Sequence, residues 1–130
     1  MMKEEYVTYE QSQALKRLGF KEETTHYYVN FKSYGEVKLW SCNPPENHNA
    51  RLSINEVCSA PRLDQAQKWL REVKGVLVEP HFQYGTIFKV VIQSETKYLY
   101  KILEKGFNSY ELALSAGIDA ALELLTFNTK

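Results

Sequence analysis

Two cysteines and three histidines are the side chains in this sequence best suited to nucleophilic or metal chemistry. Cys42 and Cys58 form no CxxC pair, and the spacing of His26, His48 and His81 matches no metal-binding motif. Either thiol could meet a histidine in the folded chain, because catalytic pairs need not be neighbours in sequence. Cys58 is the better candidate nucleophile, since it precedes a predicted helix and helix N-termini lower the pKa of thiols. The sequence nevertheless favours a small buried core residue at this position.

The other polar residues form no recognisable catalytic or cofactor motif. The sequence contains no phosphate-binding glycine loop, HExxH zinc motif, GxSxG nucleophile motif or EF-hand loop. Glu79, His81 and Gln83 alternate along one predicted strand, which is more typical of a solvated sheet face than of a catalytic cluster. We therefore predict no catalytic residue, no cofactor and no metal ligand, and a non-enzymatic protein is favoured over an enzyme.

Lysines near a tyrosine-rich strand could bind single-stranded nucleic acid by stacking and charge. However, Tyr98 and Tyr100 alternate with Leu99 and Lys101, and one of these two faces has to form the core. Sixteen basic residues balance sixteen acidic ones, and a net charge of zero argues against a dedicated DNA-binding protein. A tyrosine-lined core or partner surface is therefore favoured. The lysines concerned are Lys32, Lys38, Lys89, Lys97 and Lys101.

The first predicted helix has start and stop signals at both ends. Apolar residues recur with helical spacing over 9–18. Thr8 is a suitable N-cap, and Gln11 completes a capping box with it. Gly19 follows the last apolar position, as expected for the residue after a helix end. The segment is therefore predicted to be a short, well-delimited helix.

Two further segments show the same helical period. The second helix is predicted over 63–73, with Pro61 at or just before its first turn. The third runs from residue 110 to about 127 behind Ser109, which is predicted to be its N-cap. Gly117 lies on the apolar stripe of this helix, where glycine costs about 1 kcal/mol against alanine. Its position there suggests close contact with a sheet or with another helix.

The strand period of two appears on both sides of the second helix. A hairpin is predicted around the SYGE turn, and three more strands are predicted before the third helix. Pro80 suggests an edge strand or a bulge, and the nearly all-apolar TIFKVVIQ suggests a central strand. The long segment 42–56 is predicted to be a loop of the kind that is usually functional or mobile. The predicted strands cover 27–31, 37–39, 76–84, 86–93 and 98–103.

These elements follow the order α-β-β-α-β-β-β-α. Short turns between consecutive strands favour antiparallel neighbours. The predicted fold is therefore α+β, with one antiparallel sheet of about five strands and three helices on one of its faces. The length of 130 residues fits a single domain over 1–130. No secretory signal or membrane span is visible in the sequence, so we expect a cytoplasmic protein with free thiols rather than a disulfide framework.

Three helix blocks carry a resemblance to known proteins. They are YVTYEQSQALKRLGF, SAPRLDQAQKWLREVKG and FNSYELALSAGIDAALELL. In these blocks the chain resembles a group of small uncharacterised bacterial proteins, often from phage or prophage-like regions. Arg62 stands where the group is expected to have Thr or Ser. The resemblance implies an accessory protein of a mobile element and assigns no activity.

Three functions are compatible with the sequence. The favoured one is a non-enzymatic interaction module that binds a protein partner, or itself as a homo-oligomer. Its predicted surfaces are the sheet face, the sheet edge and the 42–56 loop. The alternatives are a nucleic-acid accessory protein that uses the lysines and tyrosines, and a small thiol- or histidine-dependent enzyme. Neutral net charge and abundant tyrosine, nine residues in all, favour the first.

Overall fold

The computed structural model describes residues 5–31, 35–51, 56–85, 87–94 and 99–127. The chain divides into two compact units, 1–62 and 63–130. A 3-10 turn covers His48–Ala50. The helices are α1 (Tyr9–Arg17), α2 (Leu63–Val73) and α3 (Tyr110–Phe127). The strands are β1 (Thr24–Phe31), β2 (Glu36–Glu46), β3 (Glu56–Ser59), β4 (Leu77–Tyr84), β5 (Ile87–Ser94) and β6 (Leu99–Phe107).

The α+β class, the three helices and the antiparallel strand pairing are confirmed in the described residues. The prediction of one sheet with about five strands is wrong. The described chain has six strands in two three-stranded sheets. The additional strand is β3, which lies at the end of the segment predicted to be a loop and is too short to show alternation. The assignment of 1–130 to one domain stays a prediction.

In the first unit, the helix α1 lies against one face of a sheet with the order β2-β1-β3. The predicted capping box is present: the backbone N–H of Gln11 donates to Thr8 Oγ1 at 3.1 Å, and the N–H of Thr8 donates to Gln11 Oε1 at 2.8 Å. On the helix side of β1, Tyr28 Oη donates to the carbonyl of Val7 at 2.7 Å. Asn30 has the same parity, so Tyr27, Val29 and Phe31 face the opposite side.

In the second unit, β4, β5 and β6 follow one another across an antiparallel sheet, and α3 packs on it. The predictions of Pro80 on an edge strand and of a central strand near 86–93 are confirmed. The close contact predicted for Gly117 is also confirmed. A Cβ atom at this position would lie 2.5 Å from Val78 Cγ1 and 2.6 Å from Val90 Cγ2. Glycine therefore allows the helix to approach the sheet.

Among the described residues, no helix is both long and apolar enough to cross a membrane. The longest described helix is α3, with 18 residues. Charged residues such as Glu111, Asp119 and Glu123 lie on its exposed side. The prediction that the chain does not span a membrane through its helices therefore agrees with the structure, while the cytoplasmic location stays a prediction.

Replacing Thr8 by alanine is expected to lower the free energy of unfolding by about 1 kcal/mol. The change removes the acceptor for the Gln11 N–H at the start of α1. Urea denaturation would measure the loss, and Thr8→Ser, which keeps the hydroxyl, serves as the control. Equal stability of Thr8→Ala and the unchanged chain would contradict the assignment of Thr8 as a cap that contributes to stability.

Candidate functional site

Strand β2 forms an outer edge of the first sheet. In the order β2-β1-β3 it pairs with β1 on one side only. Ten of its eleven residues are exposed and Cys42 is half-buried. The outer side of such a strand presents backbone N–H and C=O groups that can pair with another strand. The sequence predicted a sheet edge as one possible binding surface, but it did not indicate which strand would provide it.

The side chains of β2 add apolar surface to this edge. The exposed fractions are 39% for Val37, 43% for Leu39 and 47% for Trp40. Val37 and Leu39 lie on the α1 side of the sheet and Trp40 on the opposite side, so both faces of the edge carry exposed apolar groups of the kind found at interaction sites. Trp40 and Phe31, whose ring centroids are 6.2 Å apart, line a pocket of about 290 Å³ together with Glu36 and Lys38. The edge therefore combines main-chain hydrogen-bonding groups with a shallow aromatic pocket.

The other outer strands are less suited to accept a partner strand. Strand β3 has only four residues, three of them buried. Strand β4 contains Pro80 opposite Val90, and proline has no N–H to donate. Strand β6 has nine residues and is two residues shorter than β2. In the described chain, β2 is thus the longest strand at a sheet edge, with Pro44 and Pro45 confined to its last third.

The segment predicted as a 42–56 loop begins as the end of β2 and continues into the 3-10 turn. Residues 52–55 of that prediction lie outside the described part of the chain. In the described part, His48 is fully buried and stacks on Tyr27 at 4.2 Å between ring centroids. Its Nε2 lies 3.3 Å from Cys42 Sγ and 3.1 Å from the Thr24 carbonyl. Burial lowers the pKa of His48, and the Thr24 carbonyl acts in the opposite direction. The structure thus brings together one of the sequence-predicted cysteine–histidine pairs.

Cys58 is not an activated nucleophile. Its side chain is fully buried on β3, and its Sγ lies 3.5 Å from Glu56 Oε1. Burial, and then the Glu56 carboxylate, raise the pKa of the Cys58 thiol to about 11. The expectation of a lowered pKa is therefore wrong, because the thiol is buried and lies beside a carboxylate. The predicted free thiols are confirmed for both cysteines, and burial is confirmed for Cys58 while Cys42 is half-buried.

A polar network joins α1 to β1 and β3. Tyr9 Oη donates to Glu56 Oε1 at 3.1 Å, and Gln13 Nε2 donates to the same oxygen at 2.9 Å. Asn30 Nδ2 donates to Tyr9 Oη at 3.1 Å. The hydrogen bond from Gln13 lowers the pKa of Glu56 against the effect of burial, and burial raises the pKa of Tyr9. The helical period placed Tyr9 on the apolar stripe of α1. It did not predict this network, because the members of the network come from three separate elements.

The other two histidines are placed in different surroundings. His26 lies on β1 and packs against Tyr6, with ring centroids 4.0 Å apart and ring planes tilted by 32°. His81 lies on β4, 3.8 Å from the carboxylate of Glu79, and both side chains are more than half exposed. Gln83, the third residue of the predicted polar cluster, is also exposed. These exposures agree with the interpretation of a solvated sheet face.

The lysines and tyrosines of the nucleic-acid hypothesis do not form one described surface. Lys32, Lys97 and Tyr98 lie outside the described residues. Tyr100 is 63% exposed and pairs with Gln93, whereas Lys101 pairs with Ile92 on the opposite face of the sheet. Within the described residues, the face that carries Tyr100 also carries Lys89, opposite His81, and the carboxylate of Glu79, so its charges are mixed. A contiguous basic surface is therefore not found in the described part of the second sheet.

Comparisons of this chain with protein-family models, with curated proteins and with solved structures found no match. The resemblance in the three helix blocks accordingly stays a prediction. The β2 edge combines an unpaired strand side, exposed apolar side chains and a pocket beside Trp40.

Proposed function

We propose that this chain is a non-enzymatic interaction module that pairs with a second copy of itself through the edge of β2. The observation that carries the proposal is the exposed edge, on which Val37, Leu39 and Trp40 lie next to alternating charges at Glu36 and Lys38. Main-chain pairing supplies hydrogen bonds, and the side chains supply apolar contact. A net charge of zero keeps long-range repulsion between copies small.

The alternating charges favour one register of the paired strands. When two identical antiparallel strands are related by a two-fold axis normal to the sheet, opposing residues share a face, so the central residue opposes its own copy. With Val37 at the centre, Glu36 lies opposite Lys38 of the second copy, and Lys38 lies opposite its Glu36. A pair of opposite charges across strands contributes about 0.2–1 kcal/mol. A register centred on Lys38 would instead oppose two like charges.

The same register also agrees with the apolar residues. Val37 would contact Val37 of the second copy on the face of the sheet that α1 covers. Leu39 would lie opposite Gly35 of the second copy, which has no side chain and around whose Cβ position there is no other atom of its own chain within 4 Å. Pairing over 35–39 keeps Pro44 and Pro45 away from the centre of the interface, so their missing N–H groups do not interrupt it.

Charge exchange at the two positions is expected to control self-association. Glu36→Lys alone, or Lys38→Glu alone, places like charges opposite each other and should weaken the dimer severalfold. The double variant Glu36→Lys with Lys38→Glu restores both attractive pairs and should recover dimer formation. Sedimentation equilibrium over a concentration series, at low and high salt, measures the effect. Both residues are exposed, so the fold is expected to persist in all variants.

Two outcomes would contradict the proposal. One is a chain that stays monomeric at every concentration, because the β2 edge would then not pair with a second copy. The other is a dimer that the single charge changes do not affect, which would place the interface elsewhere. The register is checked by Val37→Cys in a Cys42→Ser background, because a central pair should form an intermolecular disulfide readily. Dimers that do not cross-link at position 37 would exclude this register.

A further inference from the structure

Three side chains of the types that bind zinc converge where β2 ends. They are Cys42, Glu46 and His48, and their ligand atoms all lie within 4.8 Å of one another. Zinc binds cysteine sulfur at about 2.3 Å and histidine nitrogen at about 2.0 Å, so two such ligands of a tetrahedral ion are about 3.5 Å apart. The observed distance of 3.3 Å between Cys42 Sγ and His48 Nε2 is close to that value.

Main-chain oxygens surround the same two atoms. The carbonyl of Thr24 lies 3.1 Å from His48 Nε2 and 4.0 Å from Cys42 Sγ. The carbonyl of Pro44 lies 3.3 Å from Cys42 Sγ. Carbonyl dipoles that point toward one place favour a positive charge there. Both the donor set and its surroundings are therefore suited to a divalent cation.

The imidazole of His48 is held in place by contacts that do not use its Nε2 atom. The ring stacks on Tyr27, and its backbone N–H donates to Ser59 Oγ at 3.0 Å. Among the described residues, its buried Nδ1 has no hydrogen-bond partner. A metal bound to Nε2 would replace the hydrogen bond between Nε2 and the Thr24 carbonyl and would not involve Nδ1. The stacking and the backbone hydrogen bond therefore hold Nε2 beside Cys42 Sγ before a metal binds, which lowers the ordering cost of binding.

Glu46 can complete the ligand set from the solvent side. It is exposed, and its backbone lies opposite Thr24 in the β1–β2 pairing, which keeps it beside the Thr24 carbonyl. We propose that Cys42, Glu46 and His48 bind a zinc ion, with a water molecule at the fourth position. Three protein ligands and one open position are typical of zinc sites with an accessible ion. Binding displaces the thiol proton of Cys42, because the thiolate is the ligand form.

Zinc titration of the full chain tests the site directly. After treatment with a chelator, the chain is expected to bind one Zn²⁺ in competition with a chromophoric chelator. Co²⁺ should give a thiolate-to-cobalt charge-transfer band. Cys42→Ser and Glu46→Gln should each weaken zinc binding by at least about tenfold. Glu79→Gln is the matched control, because Glu79 is also an exposed carboxylate beside a histidine and should leave the affinity unchanged.

Thiol alkylation gives a second readout that does not depend on the variants. Zinc should protect Cys42 from iodoacetamide, whereas Cys58 should react slowly with or without zinc, because it is buried and its pKa is raised to about 11. The proposal is overturned if no stoichiometric binding occurs. It is equally overturned if Cys42→Ser binds zinc as well as the unchanged chain, or if zinc leaves the alkylation rate of Cys42 unaltered.

Discussion

Gly117→Val is expected to lower the free energy of unfolding by about 3 kcal/mol. A Cβ atom at position 117 would lie 2.5 Å from Val78 Cγ1 and 2.6 Å from Val90 Cγ2. Both valines are fully buried between β4, β5 and α3, so neither can move without disturbing its neighbours. Adding atoms to a filled core typically costs 1–3 kcal/mol, and valine adds three. Urea denaturation of the full chain would measure the loss.

Alanine at the same position separates packing from helix propensity. Alanine in place of an unrestrained helical glycine gains about 1 kcal/mol, but here Gly117→Ala is expected to destabilise the chain by about 1 kcal/mol. Glu123→Val on the exposed side of α3 is the control for valine in a helix, and should cost only a few tenths of a kcal/mol. In a double variant that combines Gly117→Ala with Val90→Ala, the loss of unfolding free energy should be smaller than the sum of the two single losses. A stabilising Gly117→Ala would show that the helix and sheet are not in this close contact.

Glu56→Ala is expected to lower the free energy of unfolding by about 2 kcal/mol at neutral pH. Glu56 accepts hydrogen bonds from Tyr9 and Gln13, so its removal leaves two half-buried donors without their acceptor. An unsatisfied buried donor costs about 1–3 kcal/mol. The partial exposure of these groups and the remaining bond between Gln13 and Tyr9 keep the total near the middle of that range. Urea denaturation measures the effect, with the exposed Glu22→Ala as the control.

The contribution of Glu56 is also expected to depend on pH. The hydrogen bond from Gln13 lowers the pKa of this carboxyl in the folded state relative to its usual value. A lowered folded-state pKa adds stability above the unfolded pKa, and that stability is lost as the pH falls through the folded pKa. The stability difference between the unchanged chain and Glu56→Gln should therefore narrow on acidification. A difference that stays constant down to the acid transition would contradict this role.

The helices could be predicted from the sequence because their signals are local. Thr8 with Gln11, and Ser109 with the Leu112 N–H that donates to its Oγ at 3.1 Å, act within a few residues. Gly19 has a φ of 94°, the positive value expected of a glycine that ends a helix. Gly117 predicted a close contact, because glycine destabilises a helix and is expected on a buried face only where a larger residue does not fit. None of these inferences depends on which strands pair.

The strand arrangement could not be predicted for the opposite reason. Strand β3 has four residues and no alternating pattern, and it becomes a strand because it pairs with β1 far earlier in the chain. Strand β2 continues through Pro44 and Pro45, which in sequence indicate a loop. The sequence pattern did not predict β3 and predicted β2 only over 37–39. The predicted strands were therefore placed in one sheet, whereas the chain forms two.

The candidate sites depend on these same non-local pairings. Cys42 and His48 approach each other only because β2 pairs with β1 and the chain then turns back over Tyr27. The exposed edge of β2 follows from the position of β3 on the other side of β1. Residue type and spacing could name Cys42 and His48 as candidates, but they could not select this pair from the others.

The two sheets also differ in how far the chain must travel to complete them. The second sheet joins strands in sequence order, with pairs such as Leu77 with Gln93. In the first sheet, all of β2 lies in the sequence between β1 and β3, which pair through residues such as Tyr27 and Ser59. The loop-closure entropy rises with the length of chain between paired residues, and contacts between distant residues slow folding. The β1–β2 hairpin and the β4–β5–β6 sheet can thus form early from neighbouring segments, whereas β1 acquires its second neighbour late.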